Sequence, residues 1–469
     1  MELKFYNTLT RTLEVFKPIK EGQAGLYTCG PTVYNYAHIG NFRAYVFEDL
    51  LHRVLEYAGY KVKQVMNLTD VDDKTIRDSR KEGTDLRVFT ERYAQCFFED
   101  CNALRVQPPE VTPRATDHIK EMLDLIQILM DKGIAYKGED GSVYFSIEKY
   151  EPYGKLSHLK ERELKVGARV QSDEYDKESV SDFALWKKWV PADGPVKWDS
   201  PWGPGRPGWH LECSVMARKY LGDTIDLHMG GEDLIFPHHE NEIAQSEAAT
   251  GKPFVHYWVH NGYLMVEGKK MSKSAGNFYT LRDIFEKGYT GREVRFLLLS
   301  TYYRQAFNFT FEGLHAARSA LSRLDDLREA LEKEKATGSD VPVSEELKDV
   351  LAISYQKWEE ALDDDLNTSA AFAALFEAVK AINKIRLENP LGKAGAEAAL
   401  AFLDKTDEVM AVAEKDEDFP QRAKELAIER TEARKAKNWA RADEIRNELA
   451  AMGLTVEDTK EGPRLKKLG

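Results

Sequence analysis

The 469-residue sequence has few cysteines, no long apolar run and no overall excess of positive charge. Four cysteines in so long a chain cannot form a disulfide framework, so we expect them to serve in metal binding, catalysis or packing. No stretch approaches the roughly 18 consecutive apolar residues that span a bilayer, and the first residues lack the layout of a signal peptide. The sequence therefore predicts a cytoplasmic protein with no membrane partner.

The formal net charge of −13 argues against a surface that binds polyanions over its whole extent. The charge is unevenly distributed, because residues 420–469 hold 12 Lys/Arg against 9 Asp/Glu, a net +3, which leaves −16 on the other 419 residues. Hydrophobic residues make up 42% of the chain, enough for a sizeable core, and at ~150 residues per domain the length suggests about three domains. These values predict a multidomain globular protein with a basic carboxyl-terminal segment.

Strand and helix patterns alternate in the first half of the chain. Residues 25–29 and 61–68 have the composition of strands, and an amphipathic helix is predicted between them after Asn41. A strand at 224–228 and a helix that begins near Pro237 repeat the pattern. This order predicts an α/β fold with a Rossmann-type parallel sheet, with functional residues at the carboxyl ends of its strands.

Changes in composition predict how the chain is divided. Gly and Pro become rarer and helical patterns longer beyond residue 295, and linker-like segments occur at 336–340 and 416–420. The predicted divisions are 1–295 for the α/β domain, about 110–200 for a connective insertion within it, 296–338 for a helical region, 339–419 for a helical bundle and 420–469 for a small basic domain.

His38-Ile39-Gly40-Asn41 lies between a predicted strand end and a helix start, where free backbone amides and the helix dipole favour a phosphate. His38 and Asn41 are three residues apart and can point the same way. Gly40 has no side chain, so a flat base could approach the backbone closely. Taken alone, the tetrapeptide is better explained as a plain turn that ends in an Asn cap.

Three lysines and two serines are concentrated in a second segment, Lys269–Asn277 (KKMSKSAGN). Mobile ammonium groups in such a loop could close over a polyphosphate and stabilise the charge on a leaving pyrophosphate. Taken alone, this segment is better explained as a solvated basic loop. The ordered pair of motifs, an HIGN turn and a KMSKS loop 235 residues later, resembles the two signatures of class I aminoacyl-tRNA synthetases, whose Rossmann fold adenylates an amino acid.

Two cysteines and an i, i+4 pair form a third candidate site. His238 and Glu242 share one helix face, Cys29 ends the first strand, and Cys213 follows the segment 208–212. Two thiolates, an imidazole and a carboxylate make a plausible tetrahedral zinc set. Without context, cysteines are more often small core residues and a His/Glu pair is more often a surface pair.

Further distinctive segments accompany the two motifs, namely Tyr27–Tyr34 (YTCGPTVY), Asn67–Lys74 (NLTDVDDK), Trp198–His210 (WDSPWGPGRPGWH) and Phe236–Glu242 (FPHHENE). Together with His38–Asn41 (HIGN) and the KMSKS loop, they make nearly the whole chain resemble the cysteinyl-tRNA synthetases. This resemblance implies one zinc ion per chain on Cys29, Cys213, His238 and Glu242. The general class I motif ends in a second histidine where this chain has Asn41, a change that the cysteinyl enzymes tolerate.

The resemblance implies a ligase that activates L-cysteine with ATP and Mg²⁺ to cysteinyl-adenylate, releases pyrophosphate and transfers cysteine to the 3′ end of tRNA(Cys). His38, Gly40, Asn41, Lys270 and Lys273 would bind ATP. His38 and Asn41 would hold phosphates, while Lys270 and Lys273 would stabilise the transition state, with Lys273 contributing more. A cysteine thiolate is a better zinc ligand than a serine hydroxyl, so the metal would supply selectivity and an editing domain would be unnecessary.

Four further residues are candidates for contacts with the amino acid, although each could equally pack or cap. They lie at predicted strand ends or in loops near the matched motifs, and are Thr69, Trp209, His228 and Asp233.

The carboxyl-terminal third should contact tRNA. The segment Trp358–Asn383, which contains Asp363–Thr368 (DDDLNT), resembles the helical anticodon-binding bundle of the same family. One helix is predicted over 421–452, and its basic stripe either contacts the tRNA backbone or is a solvated face. Trp439 could stack on an unpaired base. The stripe comprises Arg430, Arg434, Lys437 and Arg441.

Two other functions fit parts of the sequence. A cysteine ligase that acylates an amino-sugar, as in mycothiol synthesis, has a similar catalytic half but a shorter helical tail. A non-catalytic synthetase-like RNA-binding protein would not need the intact HIGN, KMSKS and zinc-ligand sets. The family is commonly monomeric, which is what we expect here, and Cys96 and Cys101 are assigned nothing beyond packing.

Overall fold

The structure is a computed structural model that describes residues 1–159, 164–170, 180–271, 276–413, 421–452, 454–459 and 462–467. The strands are β1 (Lys4–Asn7), β2 (Thr12–Val15), β3 (Gln23–Thr28), β4 (Lys61–Met66), β5 (Ala135–Lys137), β6 (Val143–Phe145), β7 (Leu164–Val170), β8 (Val180–Lys188), β9 (Gly205–Pro207), β10 (Ile225–Gly231), β11 (Val255–Asn261), β12 (Leu264–Val266), β13 (Lys269–Lys270), β14 (Phe307–Phe309), β15 (Leu454–Thr459) and β16 (Gly462–Lys467). The α-helices are α1 (Ile39–Tyr57), α2 (Asp73–Glu82), α3 (Leu86–Ala103), α4 (Ile119–Asp131), α5 (Trp209–Leu221), α6 (Glu240–Thr250), α7 (Leu281–Glu286), α8 (Gly291–Leu299), α9 (Phe311–Thr337), α10 (Glu345–Asp363), α11 (Thr368–Glu388), α12 (Gly392–Met410), α13 (Gln421–Lys435) and α14 (Trp439–Ala451). Within these described ranges, no helix combines the length and the apolar character needed to cross a membrane.

Four parallel strands form the central sheet in the order β11-β10-β3-β4, which confirms the predicted α/β class. Helices cover both faces, so neighbouring residues of one strand belong to different cores. Leu26 of β3 packs with the apolar side of α1, whereas Tyr27 packs with α4, α5 and α6 on the opposite face. Both side chains are fully buried.

A second sheet lies between β4 and β10 in the chain, in the order β5-β6-β8-β7, with β9 paired to β8. Its apolar side joins the core beneath α4, α5 and α6 through Phe145, Phe183 and Trp186, with Phe145 stacked on Phe183 at 4.9 Å. This sheet packs onto the face of the central sheet that carries α5 and α6.

Helices α9 to α12 share one core with α1 and the central sheet. Trp358 of α10 is fully buried, and its ring meets the edge of Tyr57 of α1 at 5.3 Å. The helical half therefore packs directly on the helix that follows the HIGN turn.

Four arginines converge on the carboxyl end of α12, where unpaired carbonyls carry partial negative charge. Arg53 of α1 donates to the Glu408 carbonyl at 3.0 Å, and Arg295 of α8 donates to that of Met410 at 2.7 Å. Three further carbonyls of this stretch accept from the guanidinium groups of Arg105 and Arg292. The end of the bundle is thereby tied to the α/β domain by charge-assisted hydrogen bonds.

The single helix predicted over 421–452 is wrong. The structure has two helices, α13 and α14, because Lys437 adopts a left-handed conformation (φ 60°) and Asn438 caps α14 by accepting from the Arg441 amide at 3.2 Å. The two helices pack on the hairpin β15–β16 around a small separate core. The predicted linker at 416–420 lies outside the described residues.

Candidate active site and metal centre

The candidate site lies where β3, β4 and β10 end at one edge of the parallel sheet, the place where α/β sheets bind ligands. Cys29 directly follows β3, the Asn67–Thr69 segment follows β4, and a short 3₁₀ turn at Glu232–Leu234 follows β10. The helices that begin at this edge, α1, α5 and α6, present the remaining candidate side chains.

The HIGN turn is a reciprocal helix cap. His38 precedes α1, and its Nδ1 accepts from the Asn41 amide at 3.2 Å, while the Asn41 Oδ1 accepts from the His38 amide at 3.1 Å. A Cβ on Gly40 would stand 3.0 Å from the His38 Nδ1 and 3.1 Å from the Met271 Cε, so a larger residue here would press on the cap and on the flank of the KMSKS segment. The Asn41 oxygen is therefore engaged in the cap, and its Nδ2 group is the part left to meet a ligand.

The flank of the KMSKS segment pairs with the HIGN turn. The Ile39 amide donates to the Tyr279 carbonyl at 2.9 Å, and His38 forms an antiparallel bridge with Thr280. Lys270 is exposed and ends β13. The structure thus brings the two motifs together, while Lys273 lies in the 272–275 segment, outside the described residues.

Cys29, Cys213, His238 and Glu242 offer four ligand atoms that all lie within 4.8 Å of one another. The Cys29 Sγ is 3.8 Å from the Cys213 Sγ and 3.8 Å from the Glu242 Oε1, which in turn is 3.0 Å from the His238 Nε2. Cys213, His238 and Glu242 are buried, whereas Cys29 is half-buried. The sequence-predicted set is therefore brought together at a position open on one side.

The donor types fit a divalent zinc ion, which prefers tetrahedral sulfur and nitrogen ligands. Two thiolates on such an ion stand about 3.8 Å apart when each Zn–S bond is about 2.3 Å long. That is the separation of the Cys29 and Cys213 sulfurs. The two sulfurs therefore already stand at the separation of two ligands on one zinc ion.

Charges in the cluster are strongly perturbed. Burial alone would raise the pKa of Glu242, but the imidazoles of His228 and His238 outweigh it and hold the pKa at about 2. Burial likewise opposes the charged form of His238, yet Glu242 and Cys213 raise its pKa to about 10. Burial, with the neighbouring Cys213 sulfur, raises the pKa of Cys29 well above its ordinary value. Without a cation the site thus disfavours a second thiolate, which a bound metal would stabilise.

His228 lies behind the cluster. Its Nε2–H donates to the Glu242 Oε2 at 2.8 Å, and its ring stacks on Trp258 at 4.6 Å. His228 is fully buried, and its hydrogen-bond partner Glu242 is a candidate metal ligand. This is the arrangement of a residue that orients a metal-binding carboxylate.

The sequence reasoning missed two further histidines. The His239 Nε2 lies 3.4 Å from the Cys29 Sγ, and its Nδ1 is 2.8 Å from the Nε2 of His260, whose Nδ1 is 2.8 Å from the Thr8 hydroxyl. Burial lowers the pKa of His260 to about 3 and lowers that of His239 well below its ordinary value. Cys29, His228, His239 and Glu242 form a second group close enough to hold an ion. The adjacent pair His238-His239 was the available signal for it.

The other candidate contacts lie at the same edge of the sheet and at different depths. Thr69 is buried and its hydroxyl donates to the Glu212 Oε2 at 2.7 Å. Trp209 is half-buried, with its ring 4.3 Å from that of His238. Asp233 is exposed on the turn after β10. Of the three, Trp209 is the one in ring contact with a candidate metal ligand.

The predicted basic stripe is broken by the turn between α13 and α14, and three of its members are paired. Arg430 and Arg434 both contact the Asp458 carboxylate, and Arg441 contacts three carboxylates of α13 and α14. Lys437 and Trp439 are exposed, Trp439 by 58%. Surface pairs of this kind are weak and exchange readily for another anion.

Comparison with known proteins defines the class first. A family profile described as the class I (C) tRNA synthetase catalytic domain matches residues 15–319, and a DALR domain profile matches 357–414. Methionyl-tRNA synthetase from Mycobacterium tuberculosis, solved with methionyl-adenylate, superposes with a TM-score of 0.61 at 16% identity over 83% of this chain and 90% of its own. A leucyl enzyme from Agrobacterium radiobacter K84 in a ternary complex superposes with a TM-score of 0.60 at 12% identity over 86% of each chain. The chain has the fold of the class I aminoacyl-tRNA synthetases.

The particular family follows from closer relatives. The cysteine-tRNA ligase of Protochlamydia amoebophila is 49% identical over 99% of this chain and 98% of its own length, and that of Chlamydia pneumoniae is 50% identical over the same shares. A cysteinyl-tRNA ligase anticodon binding domain profile also matches residues 416–463. The chain belongs to the cysteine-tRNA ligase family, as its motifs predict.

Proposed function

We propose that this chain activates L-cysteine with ATP and Mg²⁺, releases pyrophosphate and transfers cysteine to the 3′ end of tRNA(Cys), acting as a monomer in the cytoplasm. One observation carries the proposal: two sulfurs, an imidazole and a carboxylate converge beside the HIGN turn at the carboxyl ends of the strands. A metal on such a set would favour a thiol substrate over a hydroxyl or an alkyl amino acid.

Cys29, Cys213, His238 and Glu242 would hold one zinc ion. When bound, zinc lowers the pKa of a substrate thiol and accepts it as a thiolate, for which a serine hydroxyl is a poor substitute. His228 would fix the Glu242 carboxylate through its 2.8 Å hydrogen bond. Trp209 would line the amino-acid site beside His238. Thr69 and Asp233 would contact the polar end of the amino acid.

The two motifs would hold ATP. His38 and the Asn41 Nδ2 group would contact phosphates at the start of α1, where the helix dipole favours negative charge. Gly40 would leave room for the base. Lys270 and Lys273 would neutralise the charge that develops as pyrophosphate leaves, with Lys273 contributing more.

The rest of the chain would bind tRNA. We assign residues 1–295, with the insertion at about 110–200, to catalysis, 296–338 to stem contact, 339–419 to the anticodon-binding bundle and 420–469 to anticodon recognition. Arg430, Arg434 and Arg441 would exchange their carboxylate partners for phosphates, and Lys437 and Trp439 would contact the backbone and an unpaired base.

Charging of total tRNA by labelled cysteine with ATP and Mg²⁺, with serine as a parallel substrate, tests the proposal. Acid-precipitable cysteine with no serine is the expected result. Charging of neither amino acid, while cysteine still drives pyrophosphate exchange, would instead support the amino-sugar ligase. Absence of both activities would support the non-catalytic alternative.

Zinc itself is tested by elemental analysis of the purified protein. We expect one zinc per chain, and loss of cysteine-dependent exchange after chelation with recovery on adding zinc back. Full exchange activity in zinc-free protein would remove the metal from the proposal.

A further inference from the structure

Residues 298–305 comprise the last two residues of α8 and the segment that leads from it towards β14, and we call them the α8 link. Buried charged groups hold this link from two sides. On one side is Arg43 of α1, five residues after the HIGN turn begins at His38, and 3% exposed. Its guanidinium donates to five carbonyls at 2.9–3.4 Å. Four of these belong to the α8 link and one to Gly262.

A second contact reinforces the attachment of the link to α1. The Tyr303 ring stacks on that of Phe47, one turn after Arg43, with ring centres 4.1 Å apart and planes inclined by 12°. Arg43 and Phe47 lie on one face of α1, because residues four apart are neighbours on a helix surface. One face of α1 therefore holds the link through both hydrogen bonds and a stacked ring.

On the other side the link is held by Asp365, the third residue of the DDDLNT turn between α10 and α11. Asp365 is 2% exposed, and its carboxylate accepts from both tyrosine hydroxyls of the link, Tyr302 and Tyr303, the latter at 2.6 Å. The Arg304 Nε lies 2.9 Å from the same carboxylate, and the Tyr6 amide of β1 donates to it at 2.7 Å. Three of these donors belong to the α8 link and the fourth to β1, so none comes from the bundle itself.

The turn that presents Asp365 has an unusual backbone. Asp365 and Leu366 both have φ of 55°, a left-handed conformation that non-glycine residues adopt at a cost of about 1 kcal/mol or more each. Two hydrogen bonds hold them there, from the Asp365 amide to the Lys4 carbonyl and from the Leu366 amide to that of Leu362. The conformation places a buried carboxylate at the point where the bundle meets the link.

We propose that Asp365, Tyr303 and Arg43 form a positioning joint that transmits the placement of the tRNA-binding bundle to α1, and through α1 to the His38 cap that faces ATP and the tRNA 3′ end. This proposal rests on the proposed function, because it requires tRNA to bind the bundle. Tyr303 is the shared element, since its hydroxyl meets the bundle while its ring and carbonyl meet α1. The residues position the reacting groups and touch no substrate.

The joint predicts a defect confined to the step that uses tRNA. Asp365→Asn keeps the size of the side chain and removes its charge, so the hydroxyl and guanidinium donors lose their common anchor. We expect kcat for charging to fall about tenfold, which is within the usual range of coupling between sites. The KM for tRNA and pyrophosphate exchange should stay within about twofold, because the tRNA contacts and the adenylation groups are unchanged.

Asp364→Asn is the matched control, since it removes the same charge from the neighbouring, exposed residue of the same turn. Tyr303→Phe is the second variant, because it keeps the ring on Phe47 and removes only the hydroxyl that reaches Asp365. We expect it to reproduce the selective fall in kcat with a smaller change in the melting temperature. Tyr303→Phe also tests the joint by itself if the Asp365→Asn protein does not fold.

A double-mutant cycle of Asp365→Asn with Arg43→Lys tests whether the bundle side and the α1 side of the link act as one unit. Asp365→Asn and Arg43→Lys should combine to less than the product of their separate effects on charging, because each loosens the same link. Parallel loss of exchange and charging, a loss confined to the KM for tRNA, multiplicative effects, or identity with Asp364→Asn would each overturn the joint. If the wild-type chain charges no tRNA, the proposed function fails first and the joint fails with it, whereas a defect in Asp365→Asn beside active wild type concerns the joint alone.

Discussion

The Cys29 and Cys213 sulfurs lie 3.8 Å apart although 184 residues separate them in sequence. Cys29 leaves β3 and Cys213 lies in the first turns of α5, so the pair joins the end of a central strand to a helix that packs on the sheet. The separation is far longer than a disulfide bond of about 2.0 Å and suits two ligands of one ion. A metal there would cross-link the sheet as well as select the substrate.

Cys213→Ser should therefore abolish zinc retention, remove cysteine-dependent pyrophosphate exchange and lower the melting temperature. A ligand present at about 100 times its dissociation constant stabilises the folded state by about 2.7 kcal/mol, and the variant should lose a comparable amount. Elemental analysis, exchange kinetics and calorimetry measure the three effects. Cys96→Ser, outside the cluster, is the control, and a Cys213→Ser protein that still holds one zinc would contradict the assignment.

His228→Gln should weaken zinc binding without abolishing it. Residues that orient a metal ligand typically contribute about 10- to 100-fold in metal affinity. Competition with a chromophoric chelator gives the affinity, and the KM for cysteine should rise in parallel. His256→Gln, on the exposed side of β11, should leave both unchanged. Equal affinities for the two variants would show that His228 does not support the site.

Lys270→Ala should lower kcat for pyrophosphate exchange with little change in cysteine binding. Removing one donor that stabilises transition-state charge commonly costs about 100- to 1000-fold. Lys269→Ala removes the same charge from the adjacent, equally exposed residue and is the matched control. Lys273→Ala should have the larger effect. A similar loss for Lys269→Ala would indicate a general electrostatic effect of the loop.

Asp49 should make the folded protein sensitive to acid. Its carboxylate is fully buried and lies 2.6 Å from the Arg295 guanidinium. Burial opposes the charge, but Arg295 and Arg53 lower the pKa below its ordinary value. A depressed pKa contributes stability above the unfolded value of about 3.9, and this contribution is lost as the pH falls through the folded value. The free energy of unfolding should decline more steeply below about pH 3.9 in the wild type than in Asp49→Asn.

At neutral pH Asp49→Asn should itself lose about 3–5 kcal/mol, because Arg295 would remain as an uncompensated buried charge. Asp124→Asn breaks an exposed pair with Lys120 and should cost no more than about 0.5 kcal/mol. Denaturant titration measures both. Equal losses in the two variants would contradict the buried pair's role.

Replacing Arg434 and Lys437 together by alanine should weaken tRNA charging and reduce its dependence on salt, while pyrophosphate exchange is unaffected. Each lost phosphate contact should reduce the slope of log affinity against log salt by about 0.7 to 0.9. The control removes Lys20 and Lys61, exposed residues at the opposite end of the central sheet. Unchanged charging would take α13 and the turn after it out of the tRNA interface.

Much of the site could be predicted because its signals are local. The HIGN cap needs residues three apart, and His238 and Glu242 share a face through helical spacing alone. The prediction that Cys29 and Cys213 lie beside His238 and Glu242 depended on the resemblance, since no local pattern relates residues 184 apart. His239 and His260 were missed because each acquires its partner only when β10, β11 and α6 are packed together.

The break between α13 and α14 at Lys437 was missed for a different reason, because here a local pattern was misleading. The basic residues keep helical spacing across it, so periodicity favours one helix. Asn is a preferred N-cap residue, and Asn438 caps α14 three residues before Arg441. Its capping preference competes with helical periodicity and was the available signal for a break between two helices. Packing on the β15–β16 hairpin favours two short helices over one long one. The Asp365 anchor was equally hidden, since its partners lie about 60 and 360 residues away.

The arginine cap on α12 has a consequence for how the protein melts. The carbonyls at the end of this bundle helix find their donors in α1, in α8 and in Arg105 beyond α3, and the same elements share one continuous core. A fragment containing the bundle alone would expose both the apolar face and the helix end. The catalytic and bundle portions should accordingly unfold in a single cooperative transition, whereas α13, α14 and their hairpin, with a core of their own, should give a separate one. These expected units of folding differ from the domain boundaries that the sequence predicts.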